Sequence, residues 1–244
     1  MSKSVKYDSG INVLGSIPDY ALMLDFIGEY AGGRPSSDRG FTFRTHKTFN
    51  RFLAAIKASI LQFSNDNQKR LFLEALSSEE WTLQEKLMAL FWQLVAGNTL
   101  FRQITEEVLM KAVYQGRTSL TAVDVLSYLH FLKSQETGEL DWAEATLKIT
   151  ASKYLTILKK LGLADGAIKK EIKHPLITHQ LFVYFIKWML YTYPEANNMD
   201  NPLQPFGFMQ KGTLIERLKR VDYLSLWNIS QMGEQVTINL LNHE

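Results

Sequence analysis

Apolar residues recur at three- and four-residue spacing over most of the chain, and turn-forming residues cut the pattern into helix-sized lengths. Ser16 and Pro18 precede Ala21, Leu22, Leu24, Phe26 and Ile27, a run that Gly32-Gly33 stops. The polar loop from Arg34 to Gly40 leads to a second helix over Thr45 to Gln62, and Asn65 or Asp66 caps a third that ends near Leu76. Thr82-Leu83-Gln84-Glu85 is a capping-box sequence, in which hydroxyl and carboxylate satisfy the free amides of a helix start. It opens an apolar helix through Leu87, Leu90, Phe91, Leu94 and Val95 to Gly97-Asn98. Thr99 restarts the chain through Leu100, Ile104, Val108, Leu109 and Val113, and Gly116 ends it. These two predict an antiparallel helical hairpin.

After Arg117 the pattern changes, which places a domain boundary near 117 and divides the chain into 1–117 and 118–244. A helix over Thr121 to Lys133 is followed by a Thr137-Gly138 turn, a short helical segment from Asp141-Trp142, and a helix over Thr150 to Leu161 closed by Gly162. Ala167 to Lys173 reads as a basic ribbon or loop, and Thr178 to Tyr193 as a buried helix. Residues 194–212 form a loop rich in Pro, Asn and Gly. Leu224 to Ile229 and Gln235 to Leu240 alternate around Met232-Gly233-Glu234 as a β-hairpin. The expected fold is mainly α: a helical bundle with helix-turn-helix-like elements, a winged-helix-like C-terminal part and a C-terminal β-hairpin.

Composition narrows the function classes. Hydrophobic residues make up 46% and charged residues 21% of 244, the balance of a folded protein. The chain has no cysteine, which excludes disulfides, thiol catalysis and cysteine-ligated metals and suits a cytoplasmic protein. Its most lipid-like run, Leu181 to Tyr191, is interrupted by Lys187 and is shorter than the roughly 20 apolar residues that span a bilayer. The N-terminus lacks the apolar segment of a signal peptide.

The net charge of +2 conceals an asymmetry. Residues 34–57 hold six cations against Asp38 alone, a net +5, and residues 148–173 hold seven lysines against Asp165 and Glu171, again +5, so the remainder is −8. Concentrated positive charge on an otherwise acidic chain points to an anionic partner. In the second helix Phe49, Phe52, Leu53, Ile56 and Ile60 share one face, while Arg44, Lys47, Arg51, Ala54 and Ala58 lie opposite. In the helix over 150–161, Ala151, Tyr154, Leu155, Leu158 and Leu161 form the core stripe, while Ser152, Lys153, Thr156 and Lys160 face away. Ser152 and Lys153 are the candidates for base-edge contacts in the major groove of double-stranded DNA, with Lys169, Lys170 and Lys173 in a wing against phosphates. Taken singly, each helix fits an ordinary solvated face; together they favour nucleic acid.

No catalytic or cofactor motif is apparent. Gly32-Gly33 and Gly207 lack the flanks of a phosphate loop, and His46, His130, His174, His179 and His243 are scattered. A metal-dependent nuclease needs converging carboxylates, for which Asp124, Asp141 and Glu144 are the candidates. A protein–protein adaptor is the alternative, with the 194–212 loop and the hairpin as docking elements and exposed Phe206, Phe208 and Met209 as anchors.

The run from Phe43-Arg44-Thr45-His46-Lys47-Thr48-Phe49 to Ile60-Leu61, the apolar pair from Leu83 to Val113, and Trp142-Ala143-Glu144-Ala145-Thr146 continuing into Lys153-Tyr154-Leu155 and Leu158 to Leu163 together resemble the BrxA proteins of BREX bacteriophage-exclusion systems. The resemblance implies a non-enzymatic DNA-binding protein with helix-turn-helix-like elements, without a cofactor. Its implied partners are DNA and other BREX proteins, a methyltransferase and large ATPases, and its implied role is to block phage replication.

Overall fold

The computed structural model describes residues 7–31, 45–135, 140–233 and 235–241. The chain divides into two compact units, one of residues 1–62 and 73–175, the other of residues 63–72 and 176–244. This differs from the boundary expected near 117. Segments on both sides of that point share one core, where Phe101 lies 5.4 Å from the ring of Tyr154 and the Tyr154 hydroxyl donates to Thr105 Oγ1.

The first unit begins with a short helix that the apolar pattern did not predict, α1 (Gly10–Leu14), followed by α2 (Tyr20–Ala31) and α3 (His46–Ser59). Asp19 starts α2 by accepting the amides of Ala21 and Leu22, and Thr45 starts α3 by accepting the amide of Thr48. α4 (Asp66–Ser77) has its N-terminal half in the other unit. The expected capping box opens α5 (Leu83–Gly97): Thr82 accepts from the Glu85 amide, and Glu85 accepts from the Thr82 amide and hydroxyl.

Two buried amide side chains tie these helices together. Gln93 donates to the carbonyls of Ile60 and Gln62 just past the end of α3, both at 2.8 Å. Asn98 caps α6 (Thr99–Ile104) through the Phe101 amide and donates to Ser59 Oγ at 2.9 Å. Gly97 has to be glycine at this crossing, because a Cβ there would lie 2.4 Å from the Ser59 carbonyl. A π-helical stretch (Thr105–Met110) and α7 (Lys111–Tyr114) continue α6 without a break, and Gly116 at φ +70° ends the run.

Beyond it lie β1 (Ser119–Leu120), α8 (Ala122–Gln135), α9 (Glu144–Lys160), β2 (Ala164–Asp165) and β3 (Lys170–Ile172). The three strands form an antiparallel sheet in the order β1-β3-β2, with Leu120 opposite Lys170 and Ala164 opposite Ile172. The two-stranded ribbon that returns to β1, with residues 166–169 at its tip, takes the position of the expected wing. The helix pair differs from expectation. Thr150 opens no helix; its hydroxyl bonds back to the Thr146 carbonyl in the middle of α9, so the two short segments foreseen at Asp141 and Thr150 are replaced by one continuous helix. The partner ahead of it is α8. The Thr137-Gly138 turn lies outside the described residues.

In the second unit, Thr178 caps α10 (His179–Thr192) by accepting the Leu181 amide. A 3-10 turn (Gln204–Gly207), α11 (Lys211–Leu218), a second 3-10 turn (Val221–Tyr223) and the hairpin β4 (Trp227–Met232) and β5 (Gln235–Leu240) follow. Phe182, Tyr223 and Trp227 pack ring to ring in its core, and the Trp227 indole donates to the Leu218 carbonyl. The hairpin begins three residues later than its alternation implied, because Leu224 to Leu226 form a turn. Among the described residues no helix is long and apolar enough to cross a membrane.

Candidate nucleic-acid interface

The two basic helices lie in the first unit, and their cations meet different surroundings. On α3 the apolar stripe is packed as expected: Phe52, Ile56 and, just past the helix, Ile60 are buried, and Phe49 and Leu53 are half-buried. Lys47, Arg51, Ala54 and Ala58 are exposed on the other side. Among the described residues no carboxylate pairs with Lys47 or Arg51. Lys57 lies 5.3 Å from the centre of the Tyr30 ring. Arg44, assigned to the same stripe, lies outside the described residues.

α9 is different because α1 packs against it as well as against α3. Gly15, just beyond α1, approaches so closely that a Cβ there would lie 2.8 Å from both Cβ and the carbonyl oxygen of Lys153. Lys153 is consequently half-buried. Lys160 is turned inward: its ammonium donates to the carbonyls of Gly15, at 3.1 Å, and of Ile17, and lies over the Tyr20 ring. The Gly15 carbonyl is one that the end of α1 leaves without a helical partner, and the Ile17 carbonyl lies in the link between α1 and α2. Burial, with repulsion from Lys153 added to it, lowers the Lys160 pKa. The expectation that Lys153 and Lys160 face away into water is therefore corrected for both.

What α9 does expose is Glu144, Ala145, Lys148, Ile149, Ser152 and Lys159, with Thr156 half-buried and its hydroxyl bonded to the Ser152 carbonyl. Lys148 lies 3.6 Å from Glu144, and Lys159 lies 3.0 Å from Asp165. The hydrogen bond from Lys159, followed by the Gly166 amide, holds the Asp165 carboxyl below its ordinary pKa.

The wing splits its three predicted lysines. Lys169 is exposed, and among the described residues no carboxylate pairs with it. Lys173 is exposed and 3.4 Å from Glu171. Lys170 is only 9% exposed, and its ammonium donates to the carbonyls of Gly166 and Ala167 at 2.6 and 2.5 Å. That corrects its assignment to the outer face: it fastens the tip of the wing from inside. Beside the wing, Thr118, Ser119, Lys169, Glu171 and Ile172 line a concavity of about 300 Å³.

The three candidate nuclease carboxylates are occupied separately. Asp124 accepts from Arg117 and from Thr121; burial raises its pKa, but these hydrogen bonds outweigh it and bring the carboxyl below its ordinary value. Glu144 is 2.9 Å from His130, and Asp141 is 3.7 Å from Lys133. Among the described residues no three His, Asp or Glu side chains are placed to hold a metal ion. The adaptor anchors also need correcting. Phe206 is fully buried, and Phe208 and Met209 are half-buried, so none of the three is the exposed anchor expected.

Sequence reasoning missed α1, whose cover over α9 decides what that helix presents. The signal was there in Ile11 and Leu14, three apart and both buried, after an Asp8 that accepts the Gly10 amide. It also passed over Lys148, Lys159 and the exposed wing-tip Ile168.

The family model of BrxA matches residues 41–187, more than half of the chain, and takes in both basic helices and the wing. No curated protein and no solved structure is detectably similar.

Proposed function

The chain belongs to the BrxA family and so is a component of a BREX phage-defence system, and from that premise we propose that it acts by binding double-stranded DNA, without catalysing a reaction on it. The observation that carries this reading is the outer face of α3, where Lys47 and Arg51 stand in water beside small alanines that allow a broad surface to approach. Lys169 adds an exposed cation on the wing, with no carboxylate partner among the described residues, and Ser152 presents a small polar side chain on the exposed face of α9, as a groove contact requires. Lys173, Lys148 and Lys159 are held by carboxylates and stand outside the count of phosphate contacts unless a phosphate displaces those partners. Lys160 and Lys170 hold the scaffold. Lys153 and Thr156, at the edge covered by α1, are in second place. The other BREX proteins, a methyltransferase and an ATPase among them, are its proposed protein partners, and the cytoplasm its proposed location.

An adaptor role is the second reading. It is supported by Val123 and Phe131, 69% and 57% exposed on α8, rather than by the loop first assigned to it.

One titration separates the two. With Lys47, Arg51 and Lys169 neutralising phosphates, duplex affinity is expected to fall with salt at a log–log slope of about −3. Affinity that is absent or indifferent to salt, with BREX proteins co-purifying after nuclease treatment, replaces the DNA reading by the adaptor.

A further inference from the structure

We propose that the tip of the wing is an apolar wedge: Ile168 enters the minor groove of the duplex and parts a base step, while Lys169 holds a phosphate beside it. The inference rests on the DNA-binding reading and goes further by assigning a groove and a mode of contact.

Ile168 is 90% exposed, the highest value among the exposed large apolar side chains described. Isolated exposed apolar residues are ordinary on a protein surface. This one sits on a turn that is fastened from several sides. Gly166 adopts φ +102°, and a Cβ there would lie 2.4 Å from the Lys169 carbonyl, so the turn depends on glycine. Its amide donates to Asp165 at 2.7 Å. Its carbonyl accepts from Lys170 and, at 3.4 Å, from Lys159, while Lys170 also reaches the Ala167 carbonyl. The lysine holding the tip is spent on polar backbone, and none of this bonding draws Ile168 into the core. The side chain is presented by a turn whose backbone freedom was already lost on folding, so inserting it costs little further ordering.

The surroundings select the partner. A site that accepts Ile168 must be apolar at its floor, and one that also accepts Lys169 must be anionic at its wall. The minor groove has stacked base edges between two rows of phosphates. Wedges of Ile, Leu, Phe, Met or Pro enter it there and kink the duplex toward the major groove. An acidic groove on a protein offers related chemistry, but it leaves the exposed cations of α3 without a role.

The full chain is titrated against a duplex of about 25 base pairs that carries 2-aminopurine at successive steps and dyes at both ends, with bending read by energy transfer. Wild type is expected to raise 2-aminopurine fluorescence at one or two steps and to shorten the end-to-end distance. Ile168→Ser is expected to lose both signals and to bind about tenfold more weakly, with the salt slope unchanged because no charge is altered. Lys169→Gln is expected to keep the fluorescence rise and to flatten the slope by about 0.9. Salt-dependent binding without unstacking, or an Ile168→Ser variant indistinguishable from wild type, overturns the wedge and leaves the DNA reading intact. Unaltered duplex binding by Ile168→Ser together with loss of a co-purifying BREX protein also overturns it, in favour of docking on protein. Absence of salt-dependent binding by wild type overturns both. The thermal melt of Ile168→Ser is expected to match wild type, which separates a lost contact from a lost fold.

Discussion

α3 and α9 are built to one plan and used in two ways. Each is amphipathic, each carries lysines or arginines opposite its apolar stripe, and each overlaps a stretch of net +5. On α3 the cationic face meets water, with Lys47 and Arg51 unengaged by carboxylates among the described residues. On α9 most of the same inventory is in use. Lys160 caps the end of α1, Lys153 is half-covered at Gly15, and Lys148 and Lys159 are in ion pairs. For Lys153 and Lys160 the difference comes from α1, a helix of five residues that packs on both, and for Lys148 and Lys159 it comes from Glu144 and Asp165. Amphipathic periodicity tells which side of a helix faces the core. Whether the other side faces solvent depends on segments elsewhere in the chain.

The comparison can be broken by mutation. Joint reversal, Lys47→Glu with Arg51→Glu, is expected to have the largest effect: a loss of about thirtyfold in duplex affinity near 0.1 M salt and a slope flatter by about 2. Fluorescence anisotropy over a salt series reads both, and a loss under about threefold removes α3 from the interface. Lys160→Met comes next and acts on a different quantity. It leaves the carbonyls of Gly15 and Ile17 without their donor, at a cost of about 1 kcal/mol in a urea melt, kept low because the ammonium is partly solvated. Its salt slope is expected to stay within about 0.3 of wild type. An unchanged melt with a slope flatter by about 0.9 means that Lys160 reaches phosphate, and the contrast between the helices collapses. Smallest are Lys148→Gln and Lys159→Gln, which break exposed pairs worth under about 0.5 kcal/mol each. A loss of more than about threefold in duplex affinity from either one shows that α9 trades its carboxylates for phosphates on binding.

Much of the architecture was legible because local chemistry dictated it. Thr82 with Glu85, Asn98, Thr45 and Thr178 each start a helix where the pattern placed one, since an orphan amide and a nearby side-chain oxygen are both encoded within a few residues. The C-terminal hairpin was legible from alternation. What was missed depended on long-range pairing. β1 is two residues long, too short for any periodicity, and exists because β3 pairs with it about fifty residues later. The start of α9 was misplaced because Thr150, a good capping residue in isolation, is buried in mid-helix, where its hydroxyl finds the Thr146 carbonyl. Phe206 was expected outside on the strength of a Pro- and Gly-rich neighbourhood. It is buried, with Gly207 beside it admitting the Phe185 ring to where a Cβ would lie only 2.6 Å from it.

The sequence by itself determined that the chain is mainly helical, where most helices begin and stop, which face of each carries the apolar stripe, and where positive charge accumulates. All of these follow from spacing within a few turns of chain. Only the tertiary structure decided which cations remain free. An ammonium is satisfied equally by water, a carboxylate, a backbone carbonyl or a phosphate, and the choice rests on which group the fold brings within about 3 Å. For Lys160 and Lys170 that group is a backbone carbonyl and for Lys148 and Lys159 a carboxylate, while Lys47, Arg51 and Lys169 are exposed and meet no carboxylate among the described residues, which leaves them open to a ligand.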